Sequence, residues 1–187
     1  MTRQVFDYRA PERFVVGTVG MPGERTFFLQ ARQGNAITSV ALEKAQVAAL
    51  AERVDQLLDE AATRGEESAR ATETMGSLDS APLDVPIVEE FRVGAMALGW
   101  DEANLRVVIE AHAIVEDEDV ELPDIGDDDP VGPDTLRVWM EAGYARAFAE
   151  RARQVVSAGR PPCPFCSQPL DPTGHVCPRA NGYRRRS

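Results

Sequence analysis

Thiols, imidazoles and long apolar runs are all scarce in this sequence. Its 187 residues include only 3 cysteines and 2 histidines, and an odd number of cysteines cannot form a complete disulfide framework. No stretch approaches the roughly 20 apolar residues of a membrane-spanning helix, and the N-terminal residues lack the apolar run of a signal peptide. We therefore expect a soluble cytoplasmic protein without a membrane partner.

Familiar catalytic motifs are missing as well. The sequence contains no Gly-x-Ser-x-Gly nucleophile motif, no phosphate-binding glycine loop and no metalloprotease helix. A formal net charge of -11 argues against broad electrostatic attraction to nucleic acid or to an anionic membrane. The charge is uneven, however, because residues 179–187 carry four arginines and no acid. A basic segment thus follows an acidic body.

The first half of the chain, residues 1–64, predicts three strands followed by one helix. The strand-like segments are 13–20, 25–31 and 36–42, and glycine-containing turns separate them. From Glu43 onward the apolar residues recur at helical spacing, which predicts an amphipathic helix. Its apolar stripe consists of Val47, Leu50, Val54, Leu57, Leu58 and Ala61.

The second half, residues 89–158, predicts the same order of elements. Its strand-like segments are 90–100, 105–115 and 136–140, and a second amphipathic helix follows them. The apolar face of that helix consists of Tyr144, Phe148, Ala152 and Val155 or Val156. The expected fold class is therefore α+β, with two strand-strand-strand-helix units followed by a small C-terminal segment.

The two halves also resemble each other residue by residue. "FVVGTV" aligns with "FRVGAM", which pairs Gly17 with Gly94, and the start of the first helix aligns Glu43 with Glu141. A duplication predicts two antiparallel sheets or one continuous sheet, with both helices on one face. The two glycines would then mark equivalent bulges or close approaches of a neighbouring backbone.

Three segments lie outside these regular elements. Residues 65–88 are rich in Ser, Thr, Glu and Gly, which predicts a flexible linker between the halves. An acidic loop, 116–133, interrupts the second half, and residues 159–187 form a C-terminal segment that ends in the basic tail. We expect the acidic loop to be solvated. An acidic contact surface for a basic partner, or for the arginine tail, is the alternative.

The segment 163–177 holds every cysteine of the chain and one of its histidines. Cys163 and Cys166 form a Cys-x-x-Cys turn, and His175 and Cys177 follow after a turn-rich stretch. Four such ligands complete a tetrahedron, which is typical of a structural zinc site with one zinc per chain. We therefore expect residues 159–187 to form a small zinc knuckle and a basic tail, as the last part of the α+β fold. A thiol redox pair and an iron site remain open alternatives, although the surrounding prolines and glycine do not match a strand-to-helix redox motif.

His112 is the other histidine of the chain. It lies in a predicted strand, and alternation places it on the same face as Glu110. The pair could serve as a general acid–base couple, but an ordinary strand histidine is the interpretation that we favour. The acidic loop does not have the spacing of a calcium-binding loop.

Four longer motifs carry a family resemblance. They are "FVVGTVGMPGERTFFLQA" at 14–31, "VALEK" at 40–44, "EEFRVG" at 89–94 and "GRPPCPFCSQPLDPTGHVCPRANG" at 159–182. With them the chain resembles a family of conserved actinobacterial proteins of unknown function. The second helix departs from that pattern, because it lacks the usual Thr-Pro start. The resemblance supports the zinc ligands and implies gene neighbours that resemble a histidine phosphatase and a kinase, but it implies no reaction.

These observations lead to three functional hypotheses. The first is a non-catalytic zinc-stabilised adaptor or regulatory module with a protein partner of the kinase or phosphatase type. The second is an enzyme whose pocket lies between the halves and uses His112, Glu110 and the acidic loop. The third is nucleic-acid binding through the zinc knuckle and a basic tail, against which the net charge weighs. The basic residues concerned are Arg179, Arg184, Arg185 and Arg186. Exposed strand edges could also pair two copies into a dimer.

Overall fold

The computed structural model describes residues 2–21, 23–70, 79–115, 122–159, 163–166, 177 and 179. This part of the chain contains seven strands, two α-helices and one short 3-10 helix, which confirms the α+β class. In chain order the elements are β1 (Val5–Tyr8), β2 (Arg13–Val19), β3 (Thr26–Gln33), β4 (Ala36–Leu42), α1 (Lys44–Thr63), the 3-10 helix (Glu67–Arg70), β5 (Glu89–Asp101), β6 (Arg106–Ala113), β7 (Thr135–Met140) and α2 (Ala142–Ser157).

The strands form one continuous sheet in the order β1-β7-β6-β5-β4-β3-β2. Within each half the pairing is antiparallel, as the sequence predicts. The halves join through a parallel pair, β4 and β5, because α1 carries the chain back to the end of the sheet at which β4 started. The sheet as a whole is therefore mixed, and the order strand-strand-strand-helix occurs twice in tandem.

Strand β1 is absent from the sequence-based prediction. It is only four residues long, and it pairs in parallel with β7 from Val5↔Thr135 to Tyr8↔Val138. Its partner lies 130 residues away along the chain. A segment this short carries too little periodicity for recognition, so its strand conformation depends on tertiary pairing.

The sheet is strongly curved. Strands β1 and β2 occupy opposite edges, and about six spacings of 4.8 Å would separate those edges by roughly 29 Å in a flat sheet. Only residues 9–12 connect Tyr8 to Arg13, and such a connection spans at most roughly 18 Å. The hydroxyl of Tyr8 also lies 2.8 Å from that of Thr38 on β4. The sheet therefore curls into an open barrel around a concave side.

Both helices pack against this concave side, as expected from the duplicated pattern. The main hydrophobic core joins residues of α1 and α2 to alternate residues of the strands. Phe14 of β2 stacks on Phe148 of α2 with ring centroids 4.6 Å apart. Helix α1 starts with a reciprocal capping box between Glu43 and Gln46, which explains where the helical periodicity begins.

The predicted linker is partly fixed to the sheet, which corrects the expectation for its second part. Residues 79–88, here called strap 1, cross the convex face of the first half. Leu83 is buried there, and Asp79 and Asp84 pair with Arg13. The two acids of this strap bind the protein's own arginine, a role that composition alone cannot distinguish from solvation. Residues 71–78 of the predicted linker lie outside the described residues.

The two aligned glycines have different environments. At Gly94 the β5–β6 register shifts, and an added Cβ would lie 2.8 Å from the Cα of Ile114, so the predicted bulge and close approach are both present. At Gly17 the pairing is regular, and an added Cβ would instead lie 2.4 Å from Cγ of Leu83 in strap 1. The absence of a side chain at Gly17 therefore makes room for the strap.

Candidate metal centre and the buried polar cluster

Three cysteines meet in the C-terminal segment. Cys163 and Cys166 flank a tight turn, and Cys177 returns to the same place from further along the chain. Their Sγ atoms all lie within 4.8 Å of one another, and Cys163 and Cys177 are buried. Cys163 and Cys166 are therefore close together, as the Cys-x-x-Cys spacing predicts.

The geometry fits a tetrahedral thiolate site. Zn–S bonds of about 2.3 Å at tetrahedral angles place two sulfurs about 3.8 Å apart. The Sγ atoms of Cys163 and Cys177 are separated by 3.8 Å, which is far beyond a disulfide bond of about 2.05 Å. Three cysteines at this spacing could hold a metal ion and would need one further ligand to close a tetrahedron. The predicted fourth ligand, His175, lies outside the described residues.

One arginine of the predicted basic tail lies near this turn. Arg179 directs Nη1 to the carbonyl oxygen of Phe165 at 3.4 Å. Phe165 sits inside the Cys-x-x-Cys turn, so the contact brings a positive charge close to the cysteines. Arg184, Arg185 and Arg186 lie outside the described residues.

A second cluster of polar side chains lies far from the cysteines in sequence. It lies on the convex face of the second half and is here called the buried polar cluster. Alternation on β6 and β7 points these side chains away from the helices, and the register places Glu110 opposite Arg137 and His112 opposite Thr135. Four of its five members have no measurable exposure, and the fifth is only 7% exposed. The five members are Arg3, Glu110, His112, Thr135 and Arg137.

Arg137 is the centre of this cluster. Its Nε donates to Glu110, its Nη1 donates to the carboxylate of Asp128 at 2.6 Å, and its Nη2 donates to the carbonyl of Asp127 at 2.5 Å. The guanidinium, by its hydrogen bond and its charge, lowers the pKa of Asp128 below the ordinary value. The acidic loop is therefore bound by an arginine of the same chain.

Arg3 holds the same loop from the other side. It donates to the hydroxyl of Thr135 at 3.1 Å and to the carbonyls of Asp127 and Asp129 at 3.0 and 3.3 Å. Residues 122–134, here called strap 2, are thus fastened across the convex face by two guanidinium groups. The carboxylates of the described part are nevertheless exposed, as expected of a solvated acidic loop, and residues 116–121 lie outside the described residues.

The structure brings His112 and Glu110 together, as strand alternation predicts. His112 Nε2 lies 3.5 Å from Glu110 Oε2, and both side chains are completely buried. Burial lowers the pKa of His112; the charge of Glu110 opposes this shift, and the charges of Arg3 and Arg137 reinforce it. The pair lies within the second half and not between the halves, so the location expected under the enzyme hypothesis is wrong.

Sequence reasoning missed Arg3, Thr135 and Arg137. The signal that could have revealed Arg137 is a charged residue in the apolar strand "LRVWM", at a position that alternates with core residues. A buried arginine needs an acid, and Glu110 on the neighbouring strand shows the same anomaly. Arg3 carries no such signal, since its partners come from residues 127–135.

The chain matches the model of a family described as "Protein of unknown function (DUF3090)" over residues 6–177. The chain belongs to the DUF3090 family. The family match extends from β1 to Cys177 and therefore includes both halves and all three cysteines. No curated protein and no solved structure matches the chain. Within the described residues, no helix combines the length and the apolar character required to cross a membrane.

Proposed function

We propose that this protein is a cytoplasmic zinc-binding adaptor or regulatory module without catalytic activity of its own. The observation that carries the proposal is the convergence of three Sγ atoms within 4.8 Å, at a sulfur spacing that suits tetrahedral zinc. Cys163, Cys166 and Cys177 supply three ligands, and His175 supplies the fourth. One zinc per chain closes the site.

A closed four-ligand site has a structural role. Bound zinc would link the two ends of segment 163–177 and neutralise part of the thiolate charge. The chain contributes the Cys-x-x-Cys turn, the burial of Cys163 and Cys177, and the positive charge of Arg179. Metal binding in such segments supplies on the order of 10 kcal/mol of apparent folding free energy, which a segment with so few apolar residues requires.

The adaptor role rests on one further observation and on the family resemblance. The acid–base pair of His112 and Glu110 is enclosed beneath strap 2, so a substrate cannot reach it in this conformation. The partner we propose is a kinase-like or phosphatase-like protein, because the family resemblance implies neighbours of these types. Proteins of this actinobacterial family would then use the zinc knuckle as a contact module.

Zinc analysis tests the metal part of the proposal. We expect about one zinc per chain after purification under reducing conditions, and we expect Cys163→Ser to lose it. Phe165→Leu is the matched control, since Phe165 is an exposed residue of the same turn and contributes no ligand atom. Zinc retained by Cys163→Ser, or absent from the unmodified protein, would refute the site.

Reconstitution tests the adaptor part separately. The zinc-loaded protein should form a stable complex with the purified kinase-like or phosphatase-like neighbour in size-exclusion chromatography. The Phe165→Leu variant keeps the metal and tests whether that exposed side chain takes part in the contact. A zinc-loaded protein that binds neither neighbour would contradict the adaptor role and leave the metal site intact.

A further inference from the structure

The two halves of the protein hold their straps at equivalent positions of the sheet. Strands β3 and β6 are the central strands of the two halves and have the same length, so Gln30 on β3 is the counterpart of Glu110 on β6. Strand register places Ser39 opposite Gln30 and Arg137 opposite Glu110. The contacts of the two straps can therefore be compared group by group.

The contact in the first half is neutral and complete. Oε1 of Gln30 accepts from the backbone N–H of Asp84 in strap 1 at 2.7 Å. Its Nε2 donates to the carbonyl of Asp84 and to the hydroxyl of Ser39, both at 3.0 Å. Neither the amide, the hydroxyl nor these backbone groups titrate near neutral pH, so a change of pH in that range leaves these bonds intact.

The contact in the second half is charged and incomplete. Oε1 of Glu110 accepts from the backbone N–H of Gly126 in strap 2 at 3.0 Å and from Nε of Arg137. Oε2 of Glu110 and Nε2 of His112 are buried 3.5 Å apart, and neither atom has a hydrogen bond within the described part of the chain. A titratable ring thus lies beside the carboxylate that holds strap 2.

The charged groups that face His112 come from three parts of the fold. Glu110 lies on the same strand, Arg137 on β7 and Arg3 in the segment before β1. On the β5 side, the register partner of His112 is Ala95, which carries no charge. Two of the three charged neighbours are cations, so a proton on the ring would add a third positive charge beside them.

The acids of strap 2 are engaged elsewhere or exposed. One carboxylate accepts from Arg137, and three others accept backbone N–H groups. The remaining acid of the strap, Asp124, is exposed. Glu110 is therefore the acid to which a protonated His112 would turn. The four engaged carboxylates belong to Asp127, Asp128, Asp129 and Asp134.

A protonated ring would compete for the carboxylate of Glu110. Its present donors are the guanidinium of Arg137 and the backbone N–H of Gly126, and the second of these is neutral. Hydrogen bonds between charged groups are the stronger ones, so the bond to Gly126 is the one that proton uptake weakens. Burial also lowers the pKa of His112, and hydration of the ring relieves this effect when the cluster opens.

We propose that strap 2 is a proton-operated latch, closed over the buried polar cluster while His112 is neutral and released from the convex face when the ring takes up a proton. The latch is closed above the ordinary histidine pKa of about 6.5 and opens as the pH falls below it. Strap 1, held by the neutral side chain of Gln30, stays closed over the same range. The inference depends neither on zinc nor on the adaptor role.

Amide hydrogen exchange of the full-length protein, resolved by residue, tests the latch. The Gly126 amide reports strap 2 and the Asp84 amide reports strap 1, because each donates to the side chain that holds its strap. Exchange rates are corrected for the rate of a free peptide at the same pH. Between pH 7.5 and pH 5, we expect the protection of Gly126 to fall by about tenfold more than that of Asp84.

One variant and one matched control assign the response to the ring. His112→Gln removes the titrating group, and its Gly126 amide should keep the same protection at both pH values. Arg32→Gln is the control, because Arg32 occupies the aligned position of β3 and contacts strap 1 through Asp84. Its Gly126 amide should respond to pH as in the unmodified protein. The comparison of Gly126 with Asp84 needs no variant and holds even where His112→Gln fails to fold.

Three results would overturn the proposal. Equal losses of protection at Gly126 and Asp84 would show that acid loosens the whole fold and not strap 2 alone. Unchanged protection of Gly126 at pH 5 would show that the strap stays closed over a protonated ring. A response of Gly126 that survives in folded His112→Gln would assign the effect to another group.

Discussion

Arg137 and Glu110 show how single residues determine the behaviour of the convex face. Both side chains are completely buried, and burial of either charge alone would cost several kcal/mol. The pair is tolerated because the guanidinium has acceptors in Glu110, Asp127 and Asp128. Such a network holds strap 2 by polar contacts, so its stability should respond to protonation.

His112 makes that response measurable. Burial lowers its pKa, so the folded protein prefers the neutral ring and the unfolded chain binds the proton more readily. The stabilisation is present above the unfolded pKa of about 6.5 and is lost as the pH falls below it. Between pH 7.5 and pH 5, we expect this residue to account for up to about 2 kcal/mol of the loss in unfolding free energy.

The variant His112→Gln tests this sign. Denaturant unfolding at several pH values gives the unfolding free energy. Between pH 7.5 and pH 5, this free energy should change less in the variant than in the unmodified protein. The carboxyl groups with lowered pKa, those of Asp79, Asp101, Asp128 and Glu150, titrate below this window and act as a common background. An equal or steeper dependence in the variant would show that His112 is not the responsible group.

Among the secondary-structure elements, α2 protects an edge of the sheet as well as covering the core. Strand β2 is at the edge, where unpaired backbone groups favour association with another chain. Two side chains of α2 bind those groups: the backbone N–H of Phe14 donates to the hydroxyl of Tyr144 at 2.6 Å, and Arg151 donates to the carbonyl of Val16 at 2.9 Å. Two backbone groups at the β2 edge are therefore already hydrogen-bonded to α2, which weighs against the expected dimer through β2.

Substitution of Tyr144 by phenylalanine removes one of these bonds without changing the shape of the ring. The half-buried N–H of Phe14 would lose its acceptor, so we expect a loss of about 1–3 kcal/mol in unfolding free energy. Hydrogen exchange at the Phe14 amide should accelerate as well. Arg153→Ala, on the exposed side of the same helix, serves as the control, and equal effects of the two variants would contradict the edge-protecting role.

The curvature of the sheet is a property of the whole molecule. Six spacings between strands separate β1 from β2, yet residues 9–12 are sufficient to connect them because the sheet curls. Curvature encloses both helices, and it brings Tyr8 of β1 to Thr38 of β4, although three other strands separate these two in the sheet order. The contact between the two hydroxyls is a local reporter of the global shape.

A double-mutant cycle between Tyr8→Phe and Thr38→Val measures this contact. We expect a coupling energy of about 0.5–1.5 kcal/mol, which is the usual net contribution of a buried hydrogen bond. Ser39→Ala supplies the matched control, because Ser39 is the next residue of β4 and bonds to Gln30 on the convex side. Additive effects for Tyr8 and Thr38 would indicate that the two strands do not meet in solution.

The sequence by itself determined the parts of this protein that depend on local periodicity. The stripe from Val47 to Ala61 places α1, alternation places β6 with Glu110 and His112 on one face, and the internal similarity predicts the repeated order of elements. The Cys-x-x-Cys spacing likewise brings Cys163 and Cys166 together, because a tight turn suffices. In each case, the residues that decide the outcome are close neighbours along the chain.

Only the tertiary structure decided where β1 pairs, how the sheet curls and what the acidic segments contact. Val5 finds Thr135, Arg3 finds Asp127 and Arg13 finds Asp79 across long separations in sequence. A run of acids has the same composition whether water or a buried arginine binds it, so no local pattern distinguishes the two. The difference arises when folding removes the arginine from water, since a buried charge must then find its partner within the protein.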